Sequence, residues 1–300
     1  MKANFLIAAP PYSHRSGGIR VLHELCDMLN QCGYPSAMVF MHDGNAKDQN
    51  YKWAISNSND LYGENHMRIE LDPTNAIKST TDFLENGIII YPDMVHSNPI
   101  HAKRVVRYIL GPCEREYPGD YILNFSASFR STHDHVLYNV FPHRDIHSKG
   151  SIPWHLRSMD ATYFGKGPTY TSCHKIPDSI IIERDWPSDK NQLGILLRHC
   201  RFLFTWDTNS ATNLDAIICG AVPVFMNKHY DAQHILEKSE LGSIPRAYME
   251  DPCDKSTITY DFADIKEKST ALMNRYNYYI DSWAKRTEAF AKHCCDHFNI

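Results

Sequence analysis

The sequence lacks the features that mark membrane and nucleic-acid-binding proteins. No run approaches ~18 consecutive apolar residues, so we expect no transmembrane helix. There is no basic excess, because 31 Lys and Arg stand against 35 Asp and Glu for a net charge of -4, which argues against a nucleic-acid partner. The apolar run Phe5–Ala9 is too short for the core of a signal peptide, and we interpret it as a first buried strand.

Signatures of metal and nucleophilic sites are missing as well. Neither C-x-x-C nor H-E-x-x-H occurs, so we expect no metal and no cofactor at the closely spaced histidine pairs His143/His147, His293/His297 and His133/His135. There is no G-x-S-x-G elbow, and no covalent nucleophile is predicted. The nine cysteines are odd in number and widely spaced, which favours a reducing, cytoplasmic setting.

What the chain does contain is the pattern of an α/β protein. Its 300 residues, 43% hydrophobic and 22% charged, suit a soluble globular chain of one large or two ordinary domains. In the first half a helix is predicted over Ile19–Cys32, and a second begins near Pro99 and ends at Gly111. They alternate with predicted buried strands, which implies a mostly parallel sheet; these strands are Asn4–Ala9, Ala37–Met41, Gly87–Tyr91 and Tyr121–Phe125.

A polar stretch at 141–160, with two prolines and a glycine, predicts a domain boundary. We therefore assign 1–150 to a first domain, 151–276 to a second, and 277–300 to a C-terminal helix that returns to the first. The second series is predicted to contain a helix over Lys190–Cys200 and the strands Ala161–Phe164, Ser179–Glu183, Phe202–Trp206 and Val222–Phe225.

The segment Phe202–Met226 carries the strongest functional pattern, a strand, a polar turn, a helix ending at Gly220 and a second strand. Asp207 lies at the carboxyl end of the first strand, the sheet edge at which α/β proteins bind ligands. Asp215 follows inside the helix. The backbone amides of the first helical turn (Ser210, Ala211, Thr212) are suited to hold a diphosphate, so we predict a nucleotide site.

This pattern resembles a known family. Asp207-x7-Asp215 followed by CGAVPVF is similar to the Glu-x7-Glu motif of retaining GT-B glycosyltransferases, and SGGIRVLHEL, YPDMVHSNPIHAKRVVRYILG and ATYFGKG resemble bacterial polysaccharide and lipopolysaccharide glycosyltransferases. The resemblance covers roughly 1–45, 87–125 and 160–230. It implies an α/β GT-B architecture, two Rossmann-like domains whose parallel sheets face a central cleft. Both acidic positions depart from the family in being Asp.

The resemblance also implies roles on the donor side. Asp207 would lie beside the donor sugar and Asp215 would hold the ribose hydroxyls; the alternatives are a helix cap for Asp207 and a solvated helix carboxylate for Asp215. Lys166 would neutralise the leaving diphosphate, unless it is a plain surface lysine. Further donor-side candidates are Gly17, Gly18, Gly165 and Arg184, with Lys175 as a weaker cation.

On the acceptor side we expect Asp93, Asn98 and Arg107, although a structural ion pair explains Arg107 equally well. Trp186 lies where family members pack the base, with a core position as the alternative. The implied reaction transfers a sugar from a nucleotide-sugar to a hydroxyl of a glycan or glycolipid, without metal, with retention and with water excluded, in cell-surface polysaccharide synthesis. Membrane contact would be peripheral, through the acceptor. The alternatives are a non-catalytic GT-B-like nucleotide- or sugar-binding protein that supports a partner synthase, and an epimerase or phosphorylase on the same fold.

Overall fold

The computed structural model describes residues 3–10, 12, 16–42, 52–55, 86–98, 101–140, 152–165, 176–183, 186–207, 210–226, 239–251 and 253–300. The chain divides into two compact units, Met1–Asn139 with Tyr279–Ile300, and Val140–Tyr278. Both are built on mainly parallel sheets with connecting helices, so the predicted α/β class is confirmed. Among the described residues, no helix combines the length and apolar character needed to cross a membrane.

In the first unit the described strands form one sheet in the order β3-β2-β1-β4-β5-β6-β7, parallel except for β3. Strands such as β1 and β4 are continuous apolar runs that are wholly buried, as expected for a parallel sheet covered on both faces. The strands are β1 Phe5–Ala9, β2 Ser36–His42, β3 Lys52–Ile55, β4 Ile88–Pro92, β5 Val105–Ile109, β6 Tyr121–Asn124 and β7 His135–Val136.

The first helix, α1 Gly17–Gln31, follows β1. Ser16 caps its N-terminus by accepting a hydrogen bond from the Ile19 amide at 3.4 Å, and Gly33 follows its end with a φ of 78°. Its apolar residues fall on one face and are buried, in agreement with the predicted spacing; they are Val21, Leu22, Leu25, Cys26 and Leu29.

The prediction of a helix that ends at Gly111 is wrong over Val105–Ile109. These residues form β5, which lies between β4 and β6. All five residues of VVRYI are buried, three of them β-branched. A short apolar run of this kind satisfies either helical or strand periodicity, and here burial on both faces of a parallel sheet decided in favour of a strand. The predicted start at Pro99 lies outside the described residues.

In the second unit the strands β8 Met159–Tyr163, β9 Ile180–Ile182, β10 Cys200–Thr205 and β11 Val222–Phe225 pair in parallel in the order β11-β10-β8-β9. Helix α2 Lys190–His199 leads into β10, and α3 Ala211–Ile218 connects β10 to β11. These elements agree with the predicted series. A small antiparallel pair follows, β12 Tyr248–Met249 with β13 Ile258–Thr259.

The last two helices are α4 Phe262–Asp281 and α5 Trp283–Phe298. The chain from Tyr279 onward, including α5, belongs to the first unit. Phe290 of α5 is wholly buried there, with its ring centroid 6.2 Å from that of Phe5 and 6.4 Å from that of Tyr121. The C-terminal helix therefore completes the core of the first unit.

Candidate functional site

The carboxyl edge of the second sheet brings Gly165 and Asp207 together. Gly165 follows β8, and Asp207 follows the neighbouring strand β10. A Cβ atom added at Gly165 would lie 2.6 Å from Cβ and Oδ2 of Asp207, so the glycine backbone lies directly against this carboxylate. Because β9 and β10 lie on opposite sides of β8, this is the point at which the strand order reverses, where open α/β sheets bind ligands.

The backbone of Asp207 is fixed by two side chains. Thr205 Oγ1 lies 3.2 Å from both the amide nitrogen and the carbonyl oxygen of Asp207, accepting from the first and donating to the second. Asn213 Nδ2 donates to the same carbonyl at 2.7 Å. Thr205 and Asn213 therefore hold the backbone of Asp207 in place.

Ser210, rather than Asp207, caps α3. Its Oγ accepts a hydrogen bond from the Thr212 amide at 3.2 Å and lies 3.2 Å from the hydroxyl of Tyr163. The cap already uses one of the amides predicted to hold a diphosphate, so an anion at this terminus would compete with Ser210 for Thr212. Ala211, the first helical residue, is exposed beside it.

The Asp215 side chain is only 6% exposed, so the interpretation of Asp215 as a solvated carboxylate is wrong. Its Oδ2 accepts a hydrogen bond at 2.6 Å from Nζ of Lys190, the first residue of α2. Lys190 was not among the predicted site residues. Helical spacing reveals the buried face of each helix, but not which residue of one helix meets a given residue of another.

Cysteine chemistry does not fit this region. Burial raises the pKa of the Cys219 thiol to about 12, and the nearby Asp215 adds to the shift. Burial likewise raises the pKa of the Cys200 thiol in β10 to about 12. A thiol with so high a pKa supplies almost no thiolate near neutral pH. Among the described residues, no group of three or more His, Cys, Asp or Glu is arranged to hold a metal ion.

Trp186 is 46% exposed, so the interpretation as a core tryptophan is wrong. It stands just beyond β9, where its amide and carbonyl exchange hydrogen bonds with those of Glu183. The indole therefore lies past the carboxyl end of a strand of the second sheet. The predicted cations Lys166, Lys175 and Arg184 lie outside the described residues, and their roles remain predictions.

In the first unit, Asp93 and the glycine pair lie at the corresponding sheet edge. Gly17 and Gly18 open α1 after β1, and Asp93 follows β4, the strand beside β1. The order of strands reverses between β1 and β4. Asp93 Oδ1 accepts from the Leu110 amide at 3.2 Å, and burial raises the pKa of this carboxyl group.

Arg107 is a structural residue, which corrects its assignment to the acceptor side. Its side chain is 2% exposed, and Nε and Nη2 donate to Oδ2 of Asp120 at 2.9 and 2.7 Å. The guanidinium also donates to the carbonyls of Val95 and Ser97. Its carbon lies 5.0 and 4.6 Å from the ring centroids of Tyr91 and Tyr117. All three guanidinium nitrogens of this buried cation thus donate to protein groups.

Asn98 is also engaged within the fold. Its Oδ1 accepts from the Tyr91 hydroxyl at 3.2 Å and from the Ala102 amide at 3.0 Å, while Nδ2 donates to the Ala102 carbonyl at 2.8 Å. Both ends of the amide therefore bind protein groups, but Asn98 is partly exposed, and its acceptor-side role stays a prediction.

No protein family matches the chain, and no curated protein matches it. Among solved structures, an alpha-glucosyltransferase in complex with UDP and a 13-mer DNA is similar at a TM-score of 0.42 and 12% identity, over 98% of this chain and 96% of that one. An Arabidopsis thaliana protein complexed with UDP gives 0.42 and 11%, over 98% and 100%. The spinosyn rhamnosyltransferase SpnG with thymidine diphosphate gives 0.35 and 12%, over 98% and 96%. At these values the likeness assigns neither a family nor an activity.

Proposed function

We propose that the protein is a GT-B-type glycosyltransferase that moves a sugar from a nucleotide-sugar donor to a hydroxyl of a glycan or glycolipid. The observation that carries this proposal is the position of Asp207 and the N-terminus of α3 at the reversal point of the second sheet, with the Gly165 backbone against the carboxylate. Ligands of open α/β sheets bind at this kind of edge.

Each group at this edge is assigned to a different part of the donor. Two carboxylates would repel a diphosphate, so they suit sugar hydroxyls, which donate hydrogen bonds to them. Asp207 then lies beside the donor sugar, and Asp215 accepts from the ribose. The amides of α3 and Lys166 take the diphosphate, and the exposed indole of Trp186 offers a face on which the base stacks.

In the proposed reaction, the bond between the anomeric carbon and the phosphate oxygen breaks and the acceptor hydroxyl bonds to that carbon as it loses its proton. Negative charge develops on the nucleoside diphosphate, where a fixed cation and helix amides stabilise the transition state. We propose retention of configuration and no metal, on the family resemblance. We also propose Asp93 as an acceptor-side residue, and Gly17 and Gly18 as residues that contact the donor phosphates. The proposal also includes a cytoplasmic location for the protein and a cell-surface polysaccharide as the product.

The test separates binding from transfer. UDP, GDP, CDP and TDP are titrated calorimetrically, and nucleotide release is followed with the matching sugar donors. Asp215→Asn should weaken nucleoside diphosphate binding about 10- to 100-fold, the effect of losing hydrogen bonds to a charged group. Asp207→Asn should keep the diphosphate affinity and lose transfer. Glu267→Gln, an exposed carboxylate on α4, is the control. Unchanged affinity in Asp215→Asn would refute the site.

The shorter carboxylates also keep a non-catalytic function open. Asp in place of Glu withdraws the acidic group by one methylene, and Asp215 is already bound to Lys190. A protein that only binds nucleotide, in support of a partner synthase, would bind one of the four diphosphates and release no nucleotide from any donor. Release of free sugar phosphate or an epimerised donor, with no new glycosidic bond, would indicate a phosphorylase or an epimerase.

A further inference from the structure

Lys190 occupies a position that its own helix disfavours. It is the first residue of α2, capped by Asp189, whose Oδ1 accepts from the Asn191 amide at 3.1 Å. The N-terminus of a helix carries partial positive charge, so a lysine there is unfavourable unless something else stabilises it. Asp215 stabilises Lys190 at this position, since its Oδ2 lies 2.6 Å from the lysine nitrogen.

The two residues meet at the carboxyl edge of the second sheet. Helices that connect parallel strands run back against the strand direction, so α2 and α3 both begin at the edge where Asp207 and Gly165 lie. The Lys190 side chain is 30% exposed and that of Asp215 is 6% exposed. The lysine therefore faces the solvent side of the pair, and the carboxylate lies beneath it.

Within the described part of the chain, one of the two Asp215 carboxylate oxygens accepts a hydrogen bond. Oδ2 binds Lys190, whereas Oδ1 accepts no hydrogen bond from any residue that the structure describes. The charge-assisted hydrogen bond draws Oδ2 toward the ammonium group, which leaves Oδ1 as the oxygen that can accept from another donor. The lysine also offsets one of the two negative charges near the proposed diphosphate site.

We propose that Lys190 is a positioning residue that aims Oδ1 of Asp215 at the ribose hydroxyls of the donor, and so sets the preference for a ribonucleotide over its 2′-deoxy counterpart. This inference rests on the proposed function. It differs from a phosphate-binding role for Lys190, in which ribose and deoxyribose ligands would be affected equally, and from a purely structural role, in which neither affinity would change.

The test compares UDP, GDP, CDP and ADP, each with its 2′-deoxy analogue, by calorimetry on the full chain. For the best ligand the wild type should prefer the ribonucleotide by about tenfold or more, as expected for hydrogen bonds to a charged group. Lys190→Met keeps the length of the side chain and removes its charge. It should bring the ratio of ribonucleotide affinity to 2′-deoxynucleotide affinity to within about threefold of unity. Lys190→Arg, which keeps a cation at the same carboxylate, should restore most of the preference.

A double-variant cycle protects the test against misfolding, since Lys190→Met leaves a buried carboxylate without its partner. Lys190→Met with Asp215→Asn removes both charges, and its ratio should equal that of Asp215→Asn alone because the two residues act as one unit. A further fall in the ratio, or an equal loss for ribose and deoxyribose ligands in Lys190→Met, would overturn the inference. If the wild type binds no nucleoside diphosphate, the proposed function fails first. If it binds with a ribose preference that Lys190→Met leaves intact, only the inference fails.

Discussion

Gly165 shows how one residue controls the site. Its φ of 59° lies in the left-handed region, and an added Cβ would lie 2.6 Å from Asp207 and 2.7 Å from the Tyr163 ring. Gly165→Ala should therefore lower stability by about 1–2 kcal/mol from backbone strain alone, and should displace the Asp207 carboxylate. We expect sugar transfer, measured as nucleotide release from the donor, to fall at least about tenfold, a loss of ~1.4 kcal/mol.

The matched control is Gly119→Ala in the first unit. Gly119 has a φ of 85°, but no atom of the described residues that could obstruct an added Cβ lies within 4 Å of it. This variant carries the strain without the steric contact and should keep the full rate of sugar transfer. If Gly165→Ala also kept it, the close approach to Asp207 would have no functional role.

A second prediction at residue scale concerns pH. His23 is 1% exposed and its Nε2 donates to the Pro10 carbonyl at 3.0 Å; burial lowers its pKa to about 4. The unfolded chain binds a proton near pH 6.5, so stability from neutral His23 is present above that pH and is lost as pH falls toward 4. Relative to His23→Gln, the wild type should lose about 2 kcal/mol in free energy of unfolding between pH 7 and 5.

The neighbouring Glu24 gives the opposite sign and serves as the internal check. Burial raises the pKa of Glu24 to about 7, against partial compensation by Arg20 and Asn139. Its stabilising effect, relative to Glu24→Gln, should be largest at acid pH and decline as pH rises through 7. Urea unfolding at pH 5, 6 and 7 measures both variants. Parallel pH profiles for the two would contradict the assignment.

At the scale of elements, Arg286 holds α5 in place. It donates to the carbonyl of Tyr138, to that of Tyr279 at 3.0 Å and to Ser282 Oγ at 3.0 Å. Its guanidinium also lies 5.5 Å from the ring centroid of Trp283. Arg286→Met should lower the free energy of unfolding by about 1–3 kcal/mol, since charged hydrogen bonds are lost.

Hydrogen exchange of α5 should locate this loss. Amides of Trp283–Phe298 are expected to exchange faster in Arg286→Met, while those of α2 and α3 in the second unit keep their protection. Lys285→Met, on the exposed side of the same helix, is the control and should change stability by less than about 0.5 kcal/mol. A uniform loss of protection in both units would contradict a local role.

At the scale of the whole molecule, the chain closes its first unit with its last helix. Phe290, Ala291 and Cys294 are wholly buried, although they follow the entire second unit in sequence. Deletion of 282–300 should therefore unfold the first unit, because removal of a buried phenylalanine alone costs about 3–5 kcal/mol. Deletion of only Asn299 and Ile300, both exposed, should leave the melting temperature within a few degrees. Calorimetry of both truncations measures the outcome. An unchanged unfolding transition of the first unit in the longer deletion would refute the prediction.

Much of the fold was predictable because it depends on local pattern. Continuous apolar runs such as Ile88–Pro92 and Cys200–Thr205 marked buried strands, and the spacing in α1 marked its buried face. The position of Asp207 at a sheet edge follows from the strand–turn–helix order alone. The run VVRYI was the exception, since a buried run of only five residues does not distinguish a helix from a strand.

Sequence by itself thus determined the α/β class, the extent of most elements and the edge at which Asp207 lies, all properties of neighbouring residues. Tertiary structure decided the partners: Lys190 with Asp215 across 25 positions, Arg107 enclosed beside Asp120, and Gly165 against Asp207. It also returned α5 to the first unit. Such pairs depend on the order of strands in each sheet and on which helix faces meet, and periodicity along the chain contains neither.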